Sequence, residues 1–232
     1  KCVVLGVCGG IAVYKALDIV SALRKKNVEV RVIMTKSATE FVTPLTFQSI
    51  SQNMVITDMF AEPKAWEIQH ISLAQKADVM LVAPATANII GKVANGIADD
   101  MLSTTIMATK AKVIFAPAMN TGMYENPIVQ ANIKKLKELG YEFIEPDSGR
   151  LACGDIGKGK FPKPEVIFEH VLTELYPVKN LKGKKVLVTA GPTKANIDPV
   201  RFLTNNSTGK MGYAIAEEAR DRGAEVVLVT GA

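Results

Sequence analysis

Two segments of the chain repeat one pattern, and the pattern restricts the fold. Each has an apolar run of strand length, then Ala-Pro-Ala, then an asparagine: Val79–Asn88 and Val113–Tyr124. An uninterrupted apolar run is typical of a parallel strand buried on both faces by helices, and proline cannot donate to a β-ladder, so each strand should end there. Ligands of open α/β sheets bind beyond the carboxyl ends of strands. The pair therefore predicts one crevice, with Asn88 and Asn120 as polar contacts.

The N-terminal segment predicts a strand–helix–strand unit. Lys1–Val7 is an apolar strand, Ile11–Lys26 is an amphipathic helix, and Val28–Met34 is a second strand. Asn27 is placed to end the helix in the left-handed conformation. We therefore expect an α/β fold with a Rossmann-like parallel sheet.

The turn between the first strand and helix is rich in glycine. Gly9 and Gly10 precede the helix, where free backbone N–H groups and the helix dipole favour a phosphate. The pattern is not G-x-G-x-x-G, and the second strand is followed by Thr35 and not by an acid that would hold a ribose hydroxyl. The unit suits a mononucleotide, although a plain tight turn explains the glycines equally well. Ser37 and Glu40 have capping-box spacing; the hydroxyls of Thr35 and Ser37 either cap a helix or extend the phosphate site.

The rest of the chain predicts further elements and a boundary between two domains. A glycine-containing stretch at Pro146–Pro164 reads as a structureless lid or binding loop. The polar, lysine-rich segment Asn180–Lys185 reads as a linker, so we place one domain at residues 1–178 and the start of a second α/β domain at 179–232. Other predicted helices are Pro44–Ile50, Thr86–Val93, Ala98–Lys110, Ile128–Leu139, Pro164–Leu175 and Lys210–Arg222, and other strands are Tyr141–Ile144, Lys185–Thr189 and Glu225–Thr230.

Composition and charge exclude several classes of partner. Of the 232 residues, 48% are hydrophobic and 22% charged, and the formal net charge is +5. No basic block is interleaved with aromatic residues, which disfavours nucleic acid as a partner and favours small anionic ligands. The three cysteines make neither a disulfide framework nor a zinc pattern, so no metal is predicted. No stretch approaches a membrane span and the N-terminus lacks a signal-peptide layout, so we expect a cytoplasmic protein without a membrane partner.

Two histidines and one cysteine are candidates for chemistry. His170 lies in a predicted helix and is expected to be an ordinary surface residue. His70 follows an irregular segment and precedes one crevice strand; a catalytic role in proton transfer and a structural role fit it about equally. Cys153 lies in the glycine-rich stretch among basic neighbours, which would expose a thiol and favour its ionisation. Asp155, beside it, also suits a turn.

Three motifs in order carry a resemblance to a known family. They are Gln69–Leu73 (QHISL), Pro117–Met123 (PAMNTGM) and Ala152–Gly159 (ACGDIGKG). Over Lys1–Leu175 the chain resembles the flavin-containing cysteine decarboxylases. The segments Gly191–Thr193, Ile197–Arg201 and Ser207–Gly212 resemble the opening of a ligase domain. As a whole the chain resembles the bifunctional phosphopantothenoylcysteine decarboxylase/phosphopantothenate–cysteine ligases, with the ligase domain truncated.

The resemblance implies an FMN-dependent decarboxylase that converts 4'-phosphopantothenoylcysteine to 4'-phosphopantetheine in coenzyme A biosynthesis. It implies His70 as the base or orienting group, Cys153 as a proton donor and Asn120 as the ligand of the substrate carboxylate. Plain packing is the simpler interpretation of Met123, which the resemblance adds to the substrate site. The other substrate-binding residues that it implies are Ala152, Gly154 and Asp155. The implied cofactor-binding residues are Gly9, Gly10, Ile11, Thr35, Ser37, Thr86 and Asn88.

The same resemblance implies self-association to trimers or dodecamers, with sites built from neighbouring subunits. It implies that a complete second domain joins phosphopantothenate and cysteine using CTP and Mg²⁺, with contributions from Asn205 and Lys210; we expect no ligase activity from the truncated domain. Three other functions remain. A catalytically silent FMN-binding regulator is disfavoured by His70, Asn120 and Cys153 together, a dehydrogenase by the missing dinucleotide pattern, and a flavin-site prenyltransferase by the cysteine motif.

Overall fold

The computed structural model describes residues 1–60, 68–150, 154–176 and 179–231. The chain divides into two compact units, Lys1–Val171 and Leu172–Ala232. In the part of the chain that is described, every helix is too short or too polar to cross a membrane.

The first unit is built on a six-stranded parallel sheet in the order β3-β2-β1-β4-β5-β6. Its strands are β1 (Cys2–Val7), β2 (Glu29–Met34), β3 (Val55–Ile56), β4 (Val79–Ala85), β5 (Lys112–Pro117) and β6 (Glu142–Phe143). Its helices are α1 (Val13–Lys25), α2 (Lys36–Thr39), α3 (Pro44–Ser51), α4 (Gln69–Lys76), α5 (Ala87–Ala94), α6 (Met101–Ala108), α7 (Thr121–Tyr124) and α8 (Pro127–Glu138). This architecture confirms the predicted Rossmann-like α/β class.

The central strands explain why the sheet forms. Every residue of β1 and β4 is buried, as expected of parallel strands covered on both faces. Each fully buried aliphatic side chain contributes roughly 1.5–3 kcal/mol of transfer free energy. The strand order places β1 and β4 side by side at the centre, so the turns after them meet at one edge.

The helix ends agree with some of the sequence signals and disagree with others. Asn27 has a φ of 59° and confirms the left-handed end after α1. Asn126 caps α8 by accepting from the Ile128 N–H at 2.9 Å. The predicted capping box of Ser37 and Glu40 is wrong, because the side chain of Thr35 caps α2 and Glu40 follows that helix.

The glycine-containing stretch is not structureless, which corrects the loop prediction. β7 (Asp147–Arg150) and β8 (Ile156–Lys160) pair as antiparallel strands, and α9 (Pro164–Leu175) follows. Tertiary contacts described below hold β8, so its low β-propensity did not decide its conformation.

The second unit is a small α/β unit. It contains β9 (Lys185–Ala190), β10 (Ala195–Asn196), β11 (Phe202–Leu203), α10 (Lys210–Asp221) and β12 (Glu225–Thr230). β9 and β12 pair in parallel, β10 and β11 pair antiparallel, and α10 packs on β9 and β12.

Candidate functional site

A cavity of 660 Å³ opens at the carboxyl ends of β1, β4 and β5. The turn before α1 forms one wall, and the segment after β5, together with residues of β7 and β8, forms another. Six residues predicted from the sequence line it: Gly9, Gly10, Ile11, Thr86, Asn120 and Met123.

A second cavity, of 510 Å³, adjoins the first. Gly9, Thr86 and Met123 line both, so the two adjoin at the edge of the sheet. The second cavity holds the other three predicted cofactor contacts, Thr35, Ser37 and Asn88.

Helix caps place the hydroxyls of the second cavity. Thr35 Oγ1 accepts from the Ala38 N–H at 3.2 Å, and Thr86 Oγ1 accepts from the Ile89 N–H at 3.5 Å. Gly9 lies so close to Ser37 that a Cβ at Gly9 would be 2.4 Å from the Ser37 Cβ. A hydroxyl that accepts from a helix N–H keeps its own hydrogen as a donor, so Thr35 is suited to bind an anionic oxygen.

An ion pair and a thiol complete the second cavity. Lys92 Nζ lies 2.6 Å from Asp99 Oδ1 and 2.8 Å from Asp100 Oδ2. Burial opposes ionisation of Asp100, but hydrogen bonds from Lys92 and Ser103 hold the pKa of its carboxyl below the usual value. Burial raises the pKa of the Cys8 thiol to about 12, so this thiol stays protonated near neutral pH and is a poor nucleophile.

The segment after β5 docks against β8 rather than standing alone. The Met119 N–H donates to the Gly159 carbonyl at 3.0 Å, and Asn120 Nδ2 donates to Asp155 Oδ2 at 2.7 Å. Asn120 Oδ1 also accepts from the Gly122 N–H at 2.8 Å, which caps α7. The side-chain amide is therefore held from both sides.

Glycine permits this docking. Gly159 has a φ of 135°, and a Cβ there would lie 2.5 Å from the Met119 carbonyl oxygen. A Cβ at Gly157 would lie 2.6 Å from the Thr121 side chain. Only residues without side chains let β8 approach so closely.

A charged network fastens the other face of β8. Glu145 accepts from Lys158 at 2.8 Å and from Lys137 at 2.9 Å, and the Tyr124 hydroxyl lies 3.3 Å from Glu145 Oε2. Hydrogen bonds from Lys158, then Lys137, lower the pKa of Glu145 to about 2.

The two predicted catalytic residues lie apart from these cavities or outside the described residues. His70 is half-buried in the first turn of α4 and lines neither cavity. Cys153 and Ala152 fall outside the described residues. Gly154 is exposed with a φ of 94°, and Asp155 joins the site through Asn120.

The second unit carries its own cavity, of 830 Å³, between the turn after β9 and the start of α10. Lys210 lines it. Asn205 does not; its Oδ1 accepts from the Ser207 N–H at 2.9 Å and shapes the loop beside it.

Sequence reasoning missed the cationic residues of the first cavity, Lys15, Arg150 and Lys160. Lys15 was detectable, since it lies in the first turn after the glycine pair. Arg150 and Lys160 reach the cavity only because β7 and β8 form, and no local pattern predicted those strands.

Comparison with known proteins assigns the first unit. The sequence profile described as "Flavoprotein" matches residues 1–176. The chain belongs to the flavoprotein family. A second profile, described as "DNA/pantothenate metabolism flavoprotein C-terminal domain", matches residues 181–232, in line with the resemblance drawn from the motifs.

Curated relatives share the whole chain but extend beyond it. The "Coenzyme A biosynthesis bifunctional protein CoaBC" of Bacillus subtilis (strain 168) is 54% identical over 99% of this chain and 57% of its own length. The protein of the same name from Borreliella burgdorferi is 48% identical over 100% of this chain and 59% of its own. The flavoprotein chain thus spans less than two thirds of these relatives.

Solved structures match about three quarters of this chain. A PPC decarboxylase mutant complexed with pantothenoylaminoethenethiol has a TM-score of 0.66 at 32% identity, covering 74% of this chain and 96% of that one. The FMN-dependent cysteine decarboxylase SpaF has a TM-score of 0.63 at 30% identity, covering 74% and 95%. The FMN binding protein AtHal3 has a TM-score of 0.64 at 32% identity, covering 73% and 94%.

Proposed function

We propose that this flavoprotein decarboxylates 4'-phosphopantothenoylcysteine to 4'-phosphopantetheine with FMN, a step of coenzyme A biosynthesis. The observation that carries the proposal is the pair of adjoining cavities, whose lining extends from the glycine turn before α1 to Asn120 and Met123. The names of the relatives and of the matched structures support the same activity.

The residues of the two cavities fit a flavin mononucleotide. The donors suited to its phosphate are the hydroxyls of Thr35 and Ser37 and the backbone N–H at Gly9. Apolar surface suited to its ring system comes from Ile11 and Met123. The close approach of Gly9 to Ser37 brings these donors together. When bound, FMN supplies reversible two-electron transfer with the substrate's cysteine side chain.

The chain's own residues then bind and orient the substrate and move protons. Asn120 Nδ2, held by its cap and by β8, donates to the substrate carboxylate and orients the carbon–carbon bond that breaks. The His70 imidazole accepts a proton while the thiol is oxidised, and the Cys153 thiol returns a proton to the product. The strand β8 covers the site and limits access of water to the reactive sulfur species.

Assembly belongs to the same proposal. His70 lines neither cavity within one chain, so a site that includes it draws the histidine from a neighbouring subunit. We propose that the protein forms trimers or dodecamers in the cytoplasm. Apart from its own copies, its proposed partners are small molecules, and neither nucleic acid nor a membrane is among them.

The second unit is proposed as the beginning of the domain that joins phosphopantothenate to cysteine with CTP and Mg²⁺. Its match to the C-terminal profile supports this assignment. Lys210 lines the cavity of this unit and would contact an anionic ligand, while Asn205 supports the loop. The ligase reaction is proposed only for proteins that contain the complete domain.

An anaerobic incubation tests the main proposal. FMN-loaded protein is mixed with 4'-phosphopantothenoylcysteine, and carbon dioxide and the flavin spectrum are followed together. We expect carbon dioxide release with 4'-phosphopantetheine as the product, and its loss in His70→Asn. Bound FMN without carbon dioxide would point instead to the silent regulatory protein, and a protein unable to bind FMN would overturn both.

A further inference from the structure

The first cavity is cationic. Lys15, Arg150 and Lys160 line it, and among the described residues that line it none is acidic. Within the described residues these three side chains form no hydrogen bond or ion pair with a carboxylate. Asp147 lies opposite Lys160 in the β7–β8 register, yet no ion pair joins the two.

This pattern differs from the rest of the surface. Many lysines of the first unit are paired with carboxylates, as Lys92 is with Asp99 and Asp100 and Lys158 is with Glu145. Cations that have no carboxylate partner among the described residues, placed around a concave and largely apolar wall, raise the local potential and attract an anion. The wall supplies apolar contacts from Tyr14 and Phe161.

The chemistry of the three groups selects the anion. A phosphomonoester carries close to two negative charges near neutral pH and three acceptor oxygens. Arginine offers a planar fork of donors, and lysine a compact charge, and both are common phosphate ligands. A carboxylate, with one charge and two acceptor oxygens, would neutralise less of this cluster than a phosphomonoester does.

Position separates this anion from the flavin phosphate. The proposed donors for the flavin phosphate, Thr35 and Ser37, lie in the second cavity. The three cations lie in the first cavity and not in the second. Asn120, the proposed ligand of the substrate carboxylate, lines the same cavity as the cations.

We infer that Lys15, Arg150 and Lys160 form a subsite for the phosphomonoester of the ligand that occupies the first cavity. With the proposed function, on which this identity rests, that ligand is the phosphorylated pantothenoyl substrate. Two of the three cations come from β7 and β8, so docking of these strands assembles the subsite, and the charge of the ligand stabilises their docking in return.

Binding measurements test the subsite without relying on turnover. The dissociation constants of 4'-phosphopantetheine and of pantetheine are measured by titration calorimetry on the FMN-loaded protein, and their ratio is the preference for phosphate. Wild-type protein is expected to prefer the phosphorylated ligand, increasingly so as salt is lowered. Arg150→Gln and Lys160→Gln should each reduce the preference about tenfold, since a charge-assisted hydrogen bond is lost.

Matched variants separate the subsite from a general charge effect. Lys160→Arg keeps the charge and should restore most of the preference. Lys135→Gln removes a charge from the exposed face of α8, outside both cavities, and should leave the ratio as it is in wild type.

Four outcomes decide the inference. A reduced ratio with FMN affinity retained supports it. An unchanged ratio, or wild-type protein that binds both ligands equally, overturns it. Weaker FMN binding in place of a reduced ratio assigns the cations to the flavin phosphate and overturns it as well. A phosphate preference that depends on these residues in a protein that releases no carbon dioxide would sustain the subsite and reject the proposed function.

Discussion

The segments after β4 and β5 begin alike and end differently. Both leave the sheet through Ala-Pro-Ala. After β4 the chain is tied into its own next helix, since Thr86 caps α5. After β5 it is tied to distant residues, because Met119 and Asn120 bond to Gly159 and Asp155. The first segment is therefore held by the cap of its own helix, whereas the second, whose Asn120 also caps α7, makes additional bonds to β8 and to the adjoining Asp155.

This contrast suits a division of labour at the site. A locally fixed segment holds its hydroxyl in the shared part of the two cavities whatever β8 does. A segment that is bonded to Gly159 of β8 and to Asp155 just before it changes when β8 moves. We therefore expect changes in the first segment to alter stability and cofactor binding, and changes in the second to alter the docking of β8 and the handling of the substrate.

The largest effect is expected from Asn120→Asp. The carboxylate preserves the cap of α7 but removes the Nδ2 donor and faces Asp155, whose Oδ2 lies 2.7 Å from that atom. Repulsion should displace β8, and kcat/KM for decarboxylation should fall by about 100-fold. Thr86→Ser, which keeps the hydroxyl in the other segment, should change kcat/KM by less than about twofold. Equal losses in both variants would contradict the contrast.

Gly159→Ala is expected to detach β8. The new Cβ meets the Met119 carbonyl, and the φ of 135° is costly for any L-residue, so the variant should lose about 1–3 kcal/mol and expose the Met119 amide to exchange. Gly140→Ala is the matched control: its φ is also positive, at 91°, but nothing lies within 4 Å of the added carbon. Thermal unfolding and hydrogen exchange measure both. Protection of the Met119 amide in Gly159→Ala equal to that in Gly140→Ala would argue against the close contact.

Thr86→Ala should lower stability and weaken FMN binding, because its hydroxyl caps α5 and also lines both cavities, but it should leave the docking of β8 unchanged. Loss of the cap of α5 is expected to cost about 0.5–1 kcal/mol in the free energy of unfolding. Chemical denaturation measures it. Protection of the Met119 amide should stay at its wild-type level, and a drop there would show that the two segments are coupled.

The smallest expected effect is the contribution of Glu145 to the pH dependence of stability. Its folded-state pKa of about 2 lies below the ordinary value of 4.5, so its contribution is present above pH 4.5 and is lost as pH falls towards 2. Because Glu145 and Lys158 are about half exposed, with side-chain exposures of 55% and 44%, the contribution is roughly 0.5–1 kcal/mol. Glu145→Gln should therefore flatten the acid dependence of stability over that range, with Glu138→Gln on α8 as a control. A parallel acid dependence in Glu145→Gln and wild type would reject this role.

The sequence was a good guide to local features and a poor one to those fixed by distant contacts. Apolar runs predicted β4 and β5, and Asn27 predicted the end of α1, because burial and backbone conformation leave local signals. The strand β8, with the sequence IGKGK, has no β-branched residue after its first position and forms through contacts with α7 and β7.

The candidate site divides in the same way. The glycine turn and the asparagines were found from their positions at strand ends, and six of the predicted residues line the first cavity. The cations at Arg150 and Lys160 depend on β7 and β8. His70 lies in the first turn of α4 and lines neither cavity, so its predicted place in the site stays a prediction that depends on the proposed assembly.

The glycines of β8 also affect how fast this strand can separate from the segment after β5. The face that meets α7 has no side chains at Gly157 and Gly159, so nothing interdigitates there and separation requires no repacking of a core. Among the described contacts, parting the strand from the segment after β5 breaks the Met119–Gly159 and Asn120–Asp155 hydrogen bonds and separates the Lys158 ammonium from the Tyr124 ring. Movements of this kind occur in microseconds to milliseconds, faster than typical turnover. Ligand entry past β8 should then be a rapid pre-equilibrium, and viscosity should leave kcat unaffected.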